Sequence, residues 1–396
     1  MSVPGWLQRR LEAAGGAVPF STYMDWVLHD PEHGAYGSGR LRIGPAGDFV
    51  TAPSLGSDFA ALLAPQLADW LAALAAAGPD PRSQGRLAVV EAGPGEGSLA
   101  ADLAVALAAG WPQLARSLEL VLVEPNPGMA ARQRGRLADC PLSCRWASFA
   151  ELAAAPVRGI LLAHEVLDAL PVERISWDGA HWRRQQVALA GGLHAEPSLR
   201  LEPGPPLDAA MLASLAACGL PAQGPERPPG WSTELHGGVG PWLQEAAAAL
   251  KAGTLLVIDY ALEARRYYAP ARSDGTLAAY RGQRAGADPL VQPGACDLTA
   301  HLCIDTLQAA AAAAGWQALG HCRQGQALLA LGLAERLHGL QRLQGAQLAE
   351  ALGRREALLR LVDPHALGDF RWLAFARSGP GDPPPLPRFL REPGGP

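Results

Sequence analysis

Short apolar runs alternate with amphipathic stretches through the middle of the 396-residue chain. The runs lie at 87–93, 118–126, 159–166 and 254–261, and their length and apolar character are typical of buried strands in a parallel sheet. Helical stretches separate them, and Pro127 suits the first turn of one such helix. The alternation predicts consecutive βαβ units and therefore an α/β fold with an open sheet.

The pattern changes on either side of this core. The segment before it is mostly helical. A later segment alternates apolar and polar residues around the turns Asp178-Gly179 and Gly191-Gly192, a pattern typical of β-hairpins. An insertion at that place would lie on the carboxyl edge of the sheet, where loops reach the ligand crevice. The predicted divisions are an N-terminal helical cap at 1–84, a core at 85–378 with an insertion at 172–232, and a Pro/Gly-rich tail at 379–396.

Charge and cysteine content exclude several classes of function. A formal net charge of −5 argues against nucleic acid as the main partner. The six cysteines have neither the spacing of a zinc site nor the density of a disulfide scaffold, so we expect reduced thiols and no metal. No apolar signal region opens the chain, and no segment reaches the ~18 apolar residues that span a bilayer. These features predict a cytoplasmic protein without membrane insertion and leave its oligomeric state open.

A glycine-rich loop, EAGPGEG, follows the first apolar run and contains Gly93, Gly95 and Gly97. A strand that leads into such a loop and then into a helix brings backbone N–H groups against a nucleotide-like ligand. A dinucleotide fingerprint requires a third Gly or Ala where this chain has Ser98, and an acid closer than Glu124. The spacing favours S-adenosylmethionine, which has one ribose and no phosphate. Another nucleotide and a tightly packed turn remain alternatives.

Further motifs occur in a fixed order along nearly the whole chain. They are GDFVTAP at 47–53, EAGPGEGSL at 91–99, VEPNP at 123–127, HEVLDALPV at 164–172, VIDYA at 257–261, DGTLAAY at 274–280, PGACDLTAH at 293–301, QGQALLALGL at 324–333 and LVDPHALGDFRWLAFAR at 361–377. This ordered set resembles the MidA family of S-adenosylmethionine-dependent methyltransferases, which includes a mitochondrial complex I assembly factor that methylates a protein arginine. The resemblance extends from about Leu7 to Arg377.

The resemblance implies a class I, Rossmann-like methyltransferase sheet with a helical N-terminal segment over the cofactor and an inserted, hairpin-containing subdomain at the acceptor site. It implies S-adenosylmethionine as cofactor, with Gly93, Gly95 and Gly97 in the cofactor loop and Glu124 at the ribose. The implied partner is a protein substrate, and a subunit of a respiratory NADH dehydrogenase is the first suggestion.

Methyl transfer is an in-line displacement that depends mainly on alignment and desolvation, so we expect no Ser-His-Asp triad. An arginine acceptor carries a charged guanidinium, for which a carboxylate fork is the natural clamp. Glu165 and Asp168 follow a predicted strand and would share one face if a helical turn began there. His164 completes the catalytic candidates, although a packed histidine is the stronger interpretation of that residue.

Three more residues are candidates for the cofactor site. Glu91 begins the glycine-loop motif, where it either contacts the cofactor or only supports the loop. Asp48 and Thr51 belong to GDFVTAP, where an ordinary turn is the alternative interpretation.

Two other functions stay open. One is an NAD-type oxidoreductase, which the loop spacing disfavours, and the other is a non-catalytic assembly chaperone that retains the cofactor fold.

Overall fold

The computed structural model describes residues 3–44, 47–78, 86–191, 196–221, 226–282, 284–286, 288–377 and 385–391. The strands in these ranges are β1 (Ala17–Pro19), β2 (Leu87–Ala92), β3 (Leu118–Val123), β4 (Ser143–Trp146), β5 (Val157–His164), β6 (Glu173–Trp177), β7 (Trp182–Ala190), β8 (Ser198–Pro206), β9 (Ser232–Leu235), β10 (Leu250–Asp259), β11 (Ala261–Leu262), β12 (Ala278–Arg281), β13 (Arg284–Gly286), β14 (Asp297–Thr299), β15 (Leu302–Cys303), β16 (Gln317–Arg323) and β17 (Arg371–Arg377).

The α-helices in the same ranges are α1 (Gly5–Ala13), α2 (Phe20–His29), α3 (Asp58–Ala76), α4 (Ser98–Gly110), α5 (Pro112–Ala115), α6 (Pro127–Arg136), α7 (Phe149–Ala154), α8 (Ala209–Ala217), α9 (Val239–Ala249), α10 (Ala264–Tyr267), α11 (Ile304–Ala313), α12 (Gln324–Ala330), α13 (Leu333–Leu340) and α14 (Leu348–Leu361).

A seven-stranded sheet in the order β16-β17-β10-β5-β2-β3-β4 forms the centre of the fold. Each of the four predicted apolar runs coincides with one of its parallel strands, β2, β3, β5 or β10, so the predicted α/β class is confirmed. β17 pairs antiparallel with β10, and β16 pairs antiparallel with β17. The carboxyl ends of the parallel strands therefore open at one edge, where a ligand crevice is expected.

Helices cover both faces of this sheet. One hydrophobic cluster joins the sheet to α3, α4 and α12–α14, and another joins its opposite face to α9 and α11. By length and composition alone, α3 is apolar enough to cross a membrane, since it has 19 residues and a mean hydropathy of 1.5. The sequence-based statement that no segment reaches this limit is wrong for α3. Phe59, Leu63, Leu67 and Trp70 of this helix are completely buried in the cluster, so α3 packs as a core helix.

A second sheet unites the N-terminal segment with the insertion. Its order is β1-β7-β6-β9, with β8 paired to β7. The predicted hairpin around Gly179 is formed by β6 and β7, and β7 and β8 form another antiparallel pair. Gly192, of the second predicted turn, lies outside the described residues. α1 and α2 pack with this second sheet, whereas α3 packs on the main one. The proposed boundaries at 84, 172, 232 and 378 remain predictions.

The described end of the predicted tail, residues 385–391, is attached to the core by Phe389. Its ring is 1% exposed and meets Trp70 and Trp372 edge-on, at centroid distances of 6.2 Å and 5.4 Å. The neighbouring Arg388 donates its backbone N–H to Gln66 Oε1 at 2.5 Å and its guanidinium to the Asp69 carboxylate. These contacts connect residues 388 and 389 to α3.

Phe389→Ala is expected to lower the free energy of unfolding by about 3–5 kcal/mol, because it removes a buried aromatic ring and leaves a cavity between two tryptophans. Urea unfolding followed by circular dichroism measures the change. Leu386→Ala is the matched control, since Leu386 is 57% exposed and its loss should cost less than about 0.5 kcal/mol. Equal stability of the two variants would contradict the attachment.

Candidate functional site

The glycine loop after β2 has a backbone that only glycine adopts without strain. Gly93, Gly95 and Gly97 have φ angles of 62°, 55° and 77°, all in the left-handed region. A Cβ atom would lie 2.8 Å from a methyl carbon of Val166 at Gly93 and 2.7 Å from Ile43 Cδ1 at Gly95. The loop ends where α4 begins at Ser98, so the helix N-terminus and the loop N–H groups lie beside the same space.

This space is a cavity of about 1100 Å³ at the carboxyl edge of the main sheet. Its walls come from the ends of β2, β3, β4 and β5, from α9, and from the segment between α2 and α3. The sequence-predicted residues that line it are Thr51, Glu91, Gly93, Gly95, Glu124, His164 and Glu165. Three others, Asp48, Gly97 and Asp168, are not on its wall.

Glu124, at the end of β3, is oriented by two donors. Asn126 N–H donates to Oε1 at 2.8 Å, and Gln133 Nε2 donates to Oε2 at 3.0 Å. Burial raises the pKa of Glu124, and these two hydrogen bonds together with the nearby Arg132 counteract that rise. The carboxylate is thus held in one orientation on the cavity wall, where it can accept further hydrogen bonds from a ligand.

Glu91, on β2, has a buried carboxyl group whose Oε2 has no hydrogen-bond partner. Burial raises its pKa to about 8. A buried acceptor without a hydrogen-bond donor lowers the stability of the folded protein. We therefore expect a ligand in the cavity to donate a hydrogen bond to Glu91 Oε2. The methionyl ammonium of S-adenosylmethionine is such a donor, the ribose hydroxyls suit Glu124, and the glycine loop permits close approach. These residues therefore fit the cofactor that the sequence predicts.

Glu124→Ala is expected to weaken S-adenosylmethionine binding by about tenfold or more, because hydrogen bonds to a charged acceptor contribute about 1.5–3 kcal/mol. Isothermal titration calorimetry measures the dissociation constant. The control is Glu119→Ala on the same strand, because Glu119 pairs with Arg145 and is not on the cavity wall. An unchanged dissociation constant for Glu124→Ala would remove this residue from the cofactor site.

The segment between α2 and α3 forms one wall of the cavity. Thr51 and Ser54 make a capping box, in which Ser54 Oγ accepts from Thr51 N–H at 3.0 Å and donates to the Thr51 carbonyl at 2.7 Å. Asp48 Oδ2 accepts from Arg42 N–H at 3.1 Å, which matches the ordinary-turn interpretation of this residue. Thr51 thus lies at the cavity, and Asp48 organises the loop before it.

His164 ends β5 and is 8% exposed. Its ring meets Phe59 edge-on at 5.4 Å, and burial lowers its pKa to about 3. The ring is therefore neutral at physiological pH, and the geometry favours the packed histidine over a general base.

The chain bends sharply after His164. Glu165 has a φ of 52°, which is rare for a residue with a side chain and often marks a functional site. The helical turn that would have placed Glu165 and Asp168 on one face is not formed, since the segment consists of bends and turns. The reason is Asp259 at the end of β10, whose Oδ2 accepts from the N–H groups of Leu167 at 3.0 Å and Asp168 at 3.3 Å.

Four acidic side chains, Glu165, Asp168, Asp259 and Asp297, gather beneath this bend. Burial raises all four pKa values, to about 7 for Asp259 and Asp297, and mutual repulsion raises those of Glu165 and Asp168 further. Of the four, Glu165 lines the cavity. No arginine in the described ranges forms an ion pair with any of them. We call this group the carboxylate cluster.

Tyr36, beside the carboxylate cluster, was not predicted. Tyr36 lines the cavity, its hydroxyl interacts with Asp297, and burial together with Asp297 and Asp168 raises its pKa. Asn126 was missed as well, although it donates its side-chain amide to the carbonyl of Tyr36 at 3.4 Å and, more closely, to that of Gly37. An Asn-Pro pair signals only a helix start, and α6 does begin at Pro127.

Gln133 is a further residue that the sequence analysis missed. It is completely buried on α6 and contacts three segments of the cavity wall. A glutamine on the buried face of a helix was the available signal, since buried polar groups require partners.

Comparisons with known proteins agree with this geometry. A crystal structure from Burkholderia thailandensis bound to S-adenosyl-homocysteine superposes on this chain with a TM-score of 0.82 at 29% identity, covering 99% of this chain and 98% of that one. Among curated proteins, the mitochondrial protein arginine methyltransferase NDUFAF7 homolog of Drosophila melanogaster is 27% identical over 93% of this chain and 84% of its own length. Its Mus musculus counterpart is 28% identical over 72% of this chain and 64% of its own length.

The family assignment rests on the match to a family model, which covers more than half of the chain. The sequence model of Methyltransf_28, described as S-adenosyl-L-methionine-dependent methyltransferase, matches residues 62–322. That range includes β2 to β5, the glycine loop, the insertion and all four residues of the carboxylate cluster. The chain belongs to this family of S-adenosyl-L-methionine-dependent methyltransferases.

Proposed function

We propose that this methyltransferase transfers the methyl group to the guanidinium of an arginine in a protein substrate. The observation that carries the proposal is the carboxylate cluster, whose Glu165 lines the cofactor cavity and whose four carboxyl groups form no ion pair with an arginine in the described part of the chain. Among the residues that the structure describes, Oε1 of Glu165 and Oδ1 of Asp297 are buried and accept no hydrogen bond, although His164 Nδ1 lies 3.5 Å from Glu165 Oε1. A guanidinium carries five N–H donors and one positive charge, so it supplies what these oxygens lack.

The cofactor supplies a methyl group activated on a sulfonium. Glu165, on the cavity wall, would hold the guanidinium and turn one nitrogen toward that group. Exclusion of water strengthens this charge pairing, and alignment of the reactants accounts for much of the acceleration. A methylated guanidinium loses one proton on product formation. Asp259 and Asp297, with pKa values raised by burial to about 7, are suited to accept it near neutral pH.

The protein nature of the substrate is supported by the names of the Drosophila and mouse relatives, which are protein arginine methyltransferases. The resemblance to a family that includes a complex I assembly factor makes a subunit of a respiratory NADH dehydrogenase the first protein to test. We also propose a cytoplasmic location, which is supported by the cysteine pattern and by the sequence of the N-terminal segment.

The test uses the purified full-length protein, S-adenosylmethionine with a labelled methyl group, and a lysate of cells that lack the gene. We expect the label in methylarginine after acid hydrolysis of the protein fraction. Label on another amino acid or on a small molecule would overturn the arginine assignment. No transfer to any acceptor, with intact cofactor binding, would favour the assembly-chaperone alternative. A matched reaction without the enzyme controls for transferases in the lysate.

A further inference from the structure

Gln133 connects the three strand ends that form the cofactor side of the cavity. Its Nε2 donates to the Gly95 carbonyl at 2.8 Å in the loop after β2, and to Glu124 Oε2 at 3.0 Å at the end of β3. Its Oε1 accepts from Trp146 Nε1 at 2.9 Å at the end of β4. All three partners line the cavity, whereas Gln133 itself is behind the wall and completely buried.

This bonding pattern requires a neutral amide. Both N–H groups of Nε2 donate to acceptors, and the side-chain carbonyl oxygen accepts from a donor. Every donor of the Gln133 amide, and its oxygen, therefore has a hydrogen-bond partner. Methionine at this position would leave the Trp146 N–H without its acceptor, and glutamate would place a second carboxylate against Glu124 and the Gly95 carbonyl. Buried networks of this kind fix one geometry when they are fully satisfied.

We propose that Gln133 is a positioning residue of the cofactor site, which holds the glycine loop, the Glu124 carboxylate and Trp146 in the arrangement that binds S-adenosylmethionine. It acts through these partners and need not contact the cofactor. Asn126 N–H restrains the other oxygen of Glu124, so Gln133 is the contact that sets the rotation of the carboxylate. Gly97 lies against the side chain as well, since a Cβ there would be 3.4 Å from Gln133 Cγ.

The chain offers a closely matched control in Gln324. It too is completely buried, donates Nε2 to a backbone carbonyl (Leu361, 3.0 Å) and accepts from a tryptophan Nε1 (Trp372, 3.2 Å). Neither Gln324 nor these two partners line the cavity. Gln133→Met and Gln324→Met therefore remove similar hydrogen bonds, but they should differ in their effect on the cofactor.

The experiment measures the dissociation constant of S-adenosylmethionine by calorimetry and stability by urea unfolding in the full-length protein. We expect Gln133→Met to weaken binding by about tenfold or more, and Gln324→Met to destabilise the protein with unchanged affinity. Gln133→Glu should bind still more weakly, because of repulsion with Glu124, and it keeps the size of the side chain if the methionine variant fails to fold. Wild-type affinity in either Gln133 variant would overturn the proposal.

A double-mutant cycle shows whether Gln133 acts through Glu124. If it does, Glu124→Ala combined with Gln133→Met should lose less affinity than the product of the two single losses. If the loss of cofactor affinity in the double variant equals the product of the two single losses, Gln133 does not act through Glu124. Equal weakening in Gln133→Met and Gln324→Met would show a general loss of stability and would also overturn the proposal.

Discussion

Replacing Glu165 with glutamine is expected to reduce methyl transfer by about a hundredfold or more. Glu165 is the member of the carboxylate cluster on the cavity wall, and its Oε1 accepts no hydrogen bond from the described residues, although His164 Nδ1 lies 3.5 Å away. The amide keeps the shape but loses the charge that would pair with a guanidinium, and removal of one partner of a desolvated charge pair costs about 2–5 kcal/mol. Initial rates with labelled S-adenosylmethionine measure the loss. Asp168→Asn is expected to act in the same direction.

Cofactor affinity provides the control for these variants. S-adenosylmethionine should bind both with near wild-type affinity, because its predicted contacts are with the glycine loop, Glu91 and Glu124. Glu173→Gln is the matched substitution outside the cavity, since Glu173 accepts from Ser21 Oγ at 2.7 Å and is part of the second sheet. Equal loss of cofactor binding in Glu165→Gln would make Glu165 structural. Full activity of the doubly substituted protein would eliminate the carboxylate clamp.

The same charges determine how activity depends on pH. A guanidinium binds to ionised carboxylates, and burial raises the pKa of Asp259 and Asp297 to about 7. The value of kcat/KM for the acceptor should therefore rise as the pH increases through about 7, with apparent pKa values that belong to the cluster as a whole. Asp259 and Asp297 act electrostatically on Glu165, so Glu165→Gln removes a negative neighbour and shifts the residual profile toward lower pH.

The central parallel strands could be predicted because their signal is local. A short apolar run bounded by turns identifies β2, β3, β5 and β10 without knowledge of their neighbours. β4 was not predicted, since SCRW is only four residues long and partly exposed. The pairing of β1 with β7 joins residues 17–19 to residues 186–188, and no local pattern encodes such a distant contact. The antiparallel strands β16 and β17 depend on similar long-range pairing.

The candidate site shows the same division. The glycine loop and Glu124 follow directly from a motif and the end of a strand, and both are on the cavity. The turn after His164 could not be predicted, because Asp259, which shapes it, lies on another strand and accepts hydrogen bonds from the backbone N–H groups of Leu167 and Asp168. Asp297 belongs to a quoted motif, but only the folded chain brings it to Glu165.

Gly95→Val is expected to weaken S-adenosylmethionine binding by at least about a hundredfold. The φ of 55° at Gly95 is strained for a β-branched residue, and its Cβ would lie 2.7 Å from Ile43 Cδ1 on the opposite wall. Backbone strain and overpacking each cost about 1–3 kcal/mol, and the branched side chain also occupies space beside the loop N–H groups. Calorimetry with S-adenosylmethionine measures the affinity of the purified variant.

Two comparisons separate this loss from general misfolding. Gly110→Val changes a glycine at the far end of α4 that has no left-handed φ and no atom within 4 Å of the added Cβ, so it should retain the affinity. Gly95→Ala shares the strained φ but adds less volume, so its affinity should lie between those of the wild type and Gly95→Val. If Gly95→Val remains folded by circular dichroism and binds like the wild type, the loop does not hold the cofactor. If alanine and valine weaken binding equally, the strained φ and the contact of the Cβ with Ile43 account for the loss, and the further methyl groups of valine do not contribute.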